Sequence, residues 1–151
     1  MTDHAPRNPG WRARCEDSFG RQAVMGTLGV TVADLAPGRV VLDLPVRPEW
    51  TQHHGFVHAG IVTTVLDSAC GYAAFTLMEA EAEVLTVEFK SNFTAPARGE
   101  VIRCTGEVVQ AGRTIMVCRG EAVGLTGDEA RLVSVMQASM MCLRGRDDLR
   151  G

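Results

Sequence analysis

The chain has 151 residues, which suits one domain, and 46% of them are hydrophobic, enough for a sizeable core. The net charge is −3 with no polybasic or basic-aromatic cluster, which excludes an electrostatic footprint for nucleic acid. Five widely spaced cysteines without a CxxC fit free thiols in a reducing cytoplasm rather than a disulfide framework.

Residues 1–10 are polar and Pro-containing and are expected as a flexible tail. A single domain is expected over residues 11–144, with a charged tail at 145–151. Trp11 to Leu28 offers Phe19, Val24 and Met25 for packing and reads as a short helix. The period then changes. In Arg39 to Val46, Val40, Leu42, Leu44 and Val46 face one way in strict alternation, the mark of a half-buried strand. Leu35 to Gly38 is a turn signal, and Gly29 to Val32 supplies a partner strand before it.

Residues 58–78 are apolar with Ile61, Val65, Leu66, Ala69 and Ala73 at helical spacing. Asp67 is the one formal charge there, apart from any on His58. Such a run raises the question of a membrane span. Asp67, Gly71 and several hydroxyls, with no second such run, favour a buried central helix and no membrane contact. In residues 84–93, Leu85, Val87, Phe89 and Phe93 are expected on one face of a strand. Thr86, Glu88, Lys90 and Asn92 then share the other. Three further alternating segments are separated by short turn-rich stretches and form an antiparallel meander. The expected class is α+β, a curved antiparallel sheet wrapped around one long helix. One nearly uncharged helix cannot be covered on all sides by one sheet, so a second subunit is expected to complete its cover.

The chemistry centres on "HHGFVHAG", His53 to Gly60, and the helix after it. His54 and His58 have the i, i+4 spacing of a metal pair, but Gly55 lies between them and no HExxH or Cys partner occurs. No metal is expected. His53 and His54 read as exposed loop residues, and His58 as a packed, hydrogen-bonded residue that shapes the turn. The first amides of a helix lack intrahelical partners and carry the positive end of its dipole. Ala59 and Gly60 are small enough for a ligand oxygen to reach that backbone. Either an ordinary capped helix or an oxyanion site satisfies this pattern. Asp67 has two readings as well: the solvated stripe of the helix, or a buried carboxylate with a raised pKa able to act as base or nucleophile. Ala59 and Asp67 are eight residues apart, so their backbones lie roughly 12 Å apart on one helix. If both serve one carbonyl, they come from different subunits.

The stretch from Gln52 to Ala74 resembles the hotdog-fold acyl-CoA thioesterases, in particular the phenylacetate-degradation (PaaI-like) and 4-hydroxybenzoyl-CoA thioesterase group. The family pattern is Asn or Gln, Gly, His-Gly-Gly, then a helical Asp or Glu nine residues after the His. These fall on Gln52, Gly55, His58-Ala59-Gly60 and Asp67. The resemblance extends over most of the chain, including Pro96 to Gly99 and Gly112-Arg113-Thr114. It implies hydrolysis of an acyl- or aryl-CoA thioester to the free acid and CoA, without a cofactor, in a homodimer or dimer of dimers with active sites at the dimer interface. Asp67 would be nucleophile or general base, the Ala59 amide would polarise the carbonyl, and Gln52 would hold the thioester or the water. Thr86 would assist the carboxylate. Arg113 and Thr114, with Arg98 or Lys90, would meet the CoA phosphates, though solvated strand charges fit these residues equally. Three departures stand out: Ala59 replaces a glycine, Gln52 replaces the commoner Asn, and Gly71 sits where certain relatives carry a hydroxyl. A non-catalytic acyl-CoA-binding protein is the alternative of the same fold.

Overall fold

A computed structural model describes residues 4–149. Two short helices, α1 (Trp11–Gly20) and α2 (Ala23–Leu28), precede strands β1 (Thr31–Ala36) and β2 (Arg39–Pro45). The long helix α3 (Ala59–Phe75) follows, and then β3 (Glu83–Phe93), β4 (Val101–Ala111), β5 (Ile115–Thr126) and β6 (Glu129–Leu143). The six strands form one antiparallel sheet in the order β1-β2-β4-β5-β6-β3, curved around α3. This is the hotdog arrangement that the resemblance implies. Among the described residues no helix is long and apolar enough to cross a membrane.

Local chemistry explains the boundaries. Where one short helix is expected within 11–28 there are two, separated by Arg21 and Gln22. Gly29 caps α2 at φ +71°, a left-handed conformation that glycine adopts without steric cost. The partner strand therefore starts at Thr31, later than expected, and runs through Ala36 into a turn at Gly38. The Gly38 amide donates to the buried Thr76 Oγ1 at 2.8 Å, fixing that turn to the end of α3. Residues 4–10, expected to be a loose tail, lie against the body. The Arg7 amide donates to the Leu77 carbonyl, and His4 Nε2 lies 3.0 Å from the Val108 carbonyl. At the other end, Arg144 grips Glu79 with two bonds of 2.9–3.0 Å, and Asp147–Leu149 form a short 3-10 turn. The tail residues 1–3 and 150–151 lie outside the described residues.

Helix α3 packs very close to the sheet because two glycines make room for it. Gly106 on β4 and Gly120 on β5 are cross-strand partners. A Cβ on Gly106 would stand 2.4 Å from the Ala69 carbonyl, and one on Gly120 would press on Leu66 and Cys70. Val62, Val65, Leu66, Ala69, Cys70, Ala73, Ala74 and Phe75 are buried accordingly. The opposite side of the helix, with Thr63, Thr64, Asp67, Ser68, Gly71 and Tyr72, is only half-buried in one chain.

Strand β3 departs from the simple alternation expected of it. A bulge between Thr86 and Glu88 leaves Val87 without a cross-strand partner and shifts the register. On β6 Val133 is buried, and so are the alternating residues Ser134, Met136, Ala138, Met140 and Cys142. Their partners on β3 are Phe93, Ser91, Phe89, Thr86 and Val84, and directly opposed residues share a face. Thr86 therefore lies on the helix side with Phe89 and Phe93, not with Glu88 and Lys90 on the polar side. Leu85 (53% exposed), Val87 (52%), Phe89 (44%) and Phe93 (42%) are nonetheless open to solvent, because β3 is the edge of the sheet and nothing among the described residues covers it.

Candidate active site

The loop before α3 is held by its own hydrogen bonds. The Gln52 amide donates to the Phe56 carbonyl at 2.8 Å, and the Gly55 amide to the Gln52 carbonyl at 2.9 Å. Gly55 has φ +81°, so a side chain there would be strained. Gln52 Oε1 accepts from the His54 amide, and its NH₂ group has no acceptor among the described residues. His53 and His54 are exposed, as expected, and their rings lie 3.9 Å apart.

His58 is the N-cap of α3. Its Nδ1 accepts from the Gly60 amide at 2.9 Å, and its own amide donates to the Trp50 carbonyl at 2.8 Å. Its hydrogen-bonding role is as expected, but its ring is exposed rather than packed. The His58 carbonyl accepts from the Ile61 and Val62 amides. With the Gly60, Ile61 and Val62 donors engaged, the Ala59 amide is the donor of the first turn without an acceptor among the described residues. Ala59 lines a cavity of about 890 Å³ with Gln52, Phe56, His58, Phe93 and Pro96. A Cβ on Gly60 would stand 3.1 Å from His58 Nδ1, so a side chain there would press on the capping ring.

Asp67 lies two turns further along α3 and is half-buried. Thr86 Oγ1 donates to its Oδ1 at 2.9 Å. Burial lifts the Asp67 pKa above the usual carboxylate value, and the Thr86 hydrogen bond partly opposes that rise. The pair opens on a second cavity of about 280 Å³ walled by Ser18, Gln22, Ser68, Gly71, Tyr72, Phe75, Glu83 and Val84. A Cβ on Gly71 would meet nothing within 4 Å.

The structure thus gathers the expected residues into two groups that share no wall residue. Gln52, His58, Ala59 and Gly60 stand at the start of α3, while Asp67, Gly71 and Thr86 stand midway along it. The remaining four lie outside both cavities. Lys90 is on the polar face of β3, and Arg98 follows the cavity residue Ala97. The Arg113 and Thr114 carbonyls accept bonds of 2.8 Å from Arg144 and from the Cys142 amide. Ser18, Gln22 and Tyr72 were not expected at the site. Tyr72 had a signal, as the chain's single tyrosine set on an apolar helix. Ser18 and Gln22 had none, because the break between α1 and α2 brings them in from more than forty residues away.

Comparison with known proteins gives the same answer. The thioesterase superfamily model matches residues 54–130, half of the chain. A thioesterase family protein of Silicibacter pomeroyi has a crystal structure that is 54% identical. That match covers 90% of this chain and 100% of the other, with a TM-score of 0.88. A Saccharolobus solfataricus protein named as an esterase is 36% identical over 90 residues, 60% of this chain and 64% of its own. The human acyl-coenzyme A thioesterase 13 is 30% identical over 87 residues, 57% of this chain and 61% of its own. The aligned part of the chain thus spans a little under two thirds of the length of these two curated relatives. On the motif, the fold and these matches together, the chain belongs to the thioesterase superfamily and has the hotdog fold.

Proposed function

We propose that the chain is an acyl-CoA thioesterase that hydrolyses the thioester to a free acid and CoA at sites shared between two subunits. The observation that carries this is the half-buried Asp67 carboxylate, bound by Thr86 and set on the same helix whose first amide is free. The Ala59 N–H hydrogen-bonds the thioester carbonyl and stabilises the charge that grows on its oxygen. Asp67 supplies the carboxylate, as general base toward water or as nucleophile toward the carbonyl carbon. By the base route, water oxygen bonds to carbon, the C–S bond breaks, and the proton held by Asp67 passes to the departing thiolate. The Gln52 NH₂ group holds the thioester or the water. The name of the human relative, an acyl-coenzyme A thioesterase, supports this chemistry.

The placement of these groups along an exposed edge supports a homodimer. Thr86 and Phe93 are seven residues apart on the helix side of β3, roughly 23 Å. One borders the Asp67 cavity and the other the Ala59 cavity. A second copy paired antiparallel along β3 about a two-fold axis sets Thr86 of one subunit opposite Phe93 of the other, twice per dimer. It also covers the exposed Leu85, Val87, Phe89 and Phe93. A dimer of dimers builds on this unit. Arg98 has the best support as a phosphate contact, since it flanks the larger cavity. Lys90, Arg113 and Thr114 rest on the resemblance. The five unpaired cysteines support a reducing compartment such as the cytoplasm.

A panel of aryl- and fatty-acyl-CoA thioesters tests the activity. Asp67→Asn should lower kcat by roughly 10²- to 10⁴-fold, the usual worth of a positioned acid or base. Turnover unaffected by Asp67→Asn would overturn the assigned mechanism. Tight CoA-ester binding without turnover by the wild type would make the chain a binding protein instead.

A further inference from the structure

The outer face of β3 carries groups that neither catalytic cavity uses. Lys90 pairs across the sheet with Gln137, which is exposed between the buried Met136 and Ala138. Lys90 therefore points away from α3, on the face opposite to Thr86 and Phe93. A cavity of about 510 Å³ opens there, lined by Lys90, Asn92, Gln137, Glu88 and Arg119 among others. Its size falls within the range of ordinary ligand pockets. The Lys90, Asn92 and Gln137 side chains make no bond among the described residues. Arg119 is held only through one nitrogen, by ion pairs of 3.4 and 3.9 Å, and its side chain is 61% exposed. Glu88 differs, since Ser139 Oγ donates to its Oε1 at 2.5 Å. The cavity thus presents an ammonium and two amides with unspent N–H donors, beside a loosely held guanidinium.

The dimer register brings two such cavities together. With Thr86 opposite Phe93, residues of one face oppose each other only if Val87 is passed over, as it is against β6. Glu88 then stands opposite Asn92, and Lys90 of one subunit opposite Lys90 of the other, on the two-fold axis. Like charges directly opposed on one sheet face repel.

We propose that the two Lys90 side chains, with Asn92, Gln137 and Arg119 of both subunits, form an anion site on the dimer axis. It takes one compact multivalent oxyanion of the phosphate class, such as a diphosphate group, and thereby tightens the dimer. This rests on the dimer of the proposed function, because a single chain holds only half of the site. It assigns Lys90 to the axis in place of the CoA phosphates. The phosphate oxygens accept from both ammonium groups and from the flanking amides, so attraction replaces repulsion at the axis. An anion on the outer face leaves both catalytic cavities open. It acts through assembly of the shared sites and does not compete with the substrate.

The test titrates inorganic diphosphate, and in a second arm ADP, into the intact chain at ionic strength matched with sodium chloride. Calorimetry should give one anion per two chains. Binding of diphosphate shows that the free anion suffices, and binding of ADP alone assigns the phosphate to a nucleotide. Sedimentation over a dilution series should show dimer dissociation reduced ~10-fold at an anion concentration ten times its Kd. Urea unfolding reads the same linkage if the dimer is too tight to dilute apart. Lys90→Met should abolish the anion effect and, without anion, dimerise more tightly than the wild type. Gln137→Leu keeps both charges and should weaken anion binding by at least ~3-fold. One anion per chain would mark an ordinary CoA-type phosphate contact. A looser Lys90→Met dimer would mean that Lys90 pairs with Glu88 across the axis. Either result overturns the proposal. So does a dimer indifferent to both anions, which leaves the shared-site reading standing. A chain that stays monomeric with and without anion would instead reject the shared site, and the axis site with it.

Discussion

Burial holds the Asp67 carboxyl above the usual carboxylate range, and the Thr86 hydroxyl draws it partway back. If the ionised form is the reactive one, kcat/KM rises with pH as Asp67 loses its proton, and the acidic limb reports the free enzyme. Thr86→Val removes the bond that favours the ionised form, so the limb should move to higher pH, with activity lost mainly on the acid side. A pH profile of kcat/KM measures this, and a limb that stays put or moves down would remove Thr86 from its role. Asp67 was legible in the sequence because one charge inside an apolar run must be paired, exposed or used. Thr86 was legible as a residue but on the wrong face, because a bulge leaves no mark in an alternating pattern. The free Ala59 amide was half legible. The helix start was evident, whereas only the geometry shows that Gly60, Ile61 and Val62 are engaged and Ala59 is not.

Helix α3 owes its place to the Gly106–Gly120 pair beneath it. A methyl on Gly106 meets backbone of Ala69 and Cys70, which cannot swing aside as a side chain can. Gly106→Ala should therefore destabilise the fold by about 1–3 kcal/mol, the usual cost of overpacking. Urea unfolding reads it, and a change within ~0.5 kcal/mol, typical of uncritical surface sites, would show that the helix has slack here. Periodicity revealed α3, β2 and the β4–β6 meander, since hydrophobic spacing follows each element's own geometry. It could not reveal that β3 leaves the meander to pair with β6 at the sheet edge, because strand order is a long-range property. The split of α1 from α2 had one sign, Gly20, the last residue of α1, but a single glycine in a mixed segment does not by itself fix a boundary.

Across the whole molecule, one chain carries two groups of candidate residues in separate cavities, one at the start of α3 and one midway along it. Ala59→Pro deletes the amide proton while keeping a residue that the first helical position tolerates. His58 already has the extended ψ of 135° that a following proline demands. Ala59→Pro and Asp67→Asn should each be nearly inactive alone. Unfolded and refolded together in equal amounts, they should recover about a quarter of wild-type activity. Half the dimers then pair unlike chains, and each of these holds one intact site of two. Recovery no greater than the sum of the separate variants would show that the sites are not shared. The sequence pointed to a shared site through the spacing of Ala59 and Asp67, but it did not show which edge two copies share.

The five cysteines take on a different meaning beside the proposed reaction, which frees a thiol at every turnover. Exchange with a disulfide formed from CoA needs a thiolate on the protein to attack it, releasing free CoA. All five cysteines are buried, and burial pushes Cys15 and Cys118 up to about 12 and raises Cys70, Cys104 and Cys142 as well. Cys70 sits one turn past Asp67, yet on the face turned into the sheet. The cysteine sulfurs thus stay protonated and buried, so if CoA is released as proposed, any disulfide it forms finds no accessible thiolate here to make a mixed disulfide.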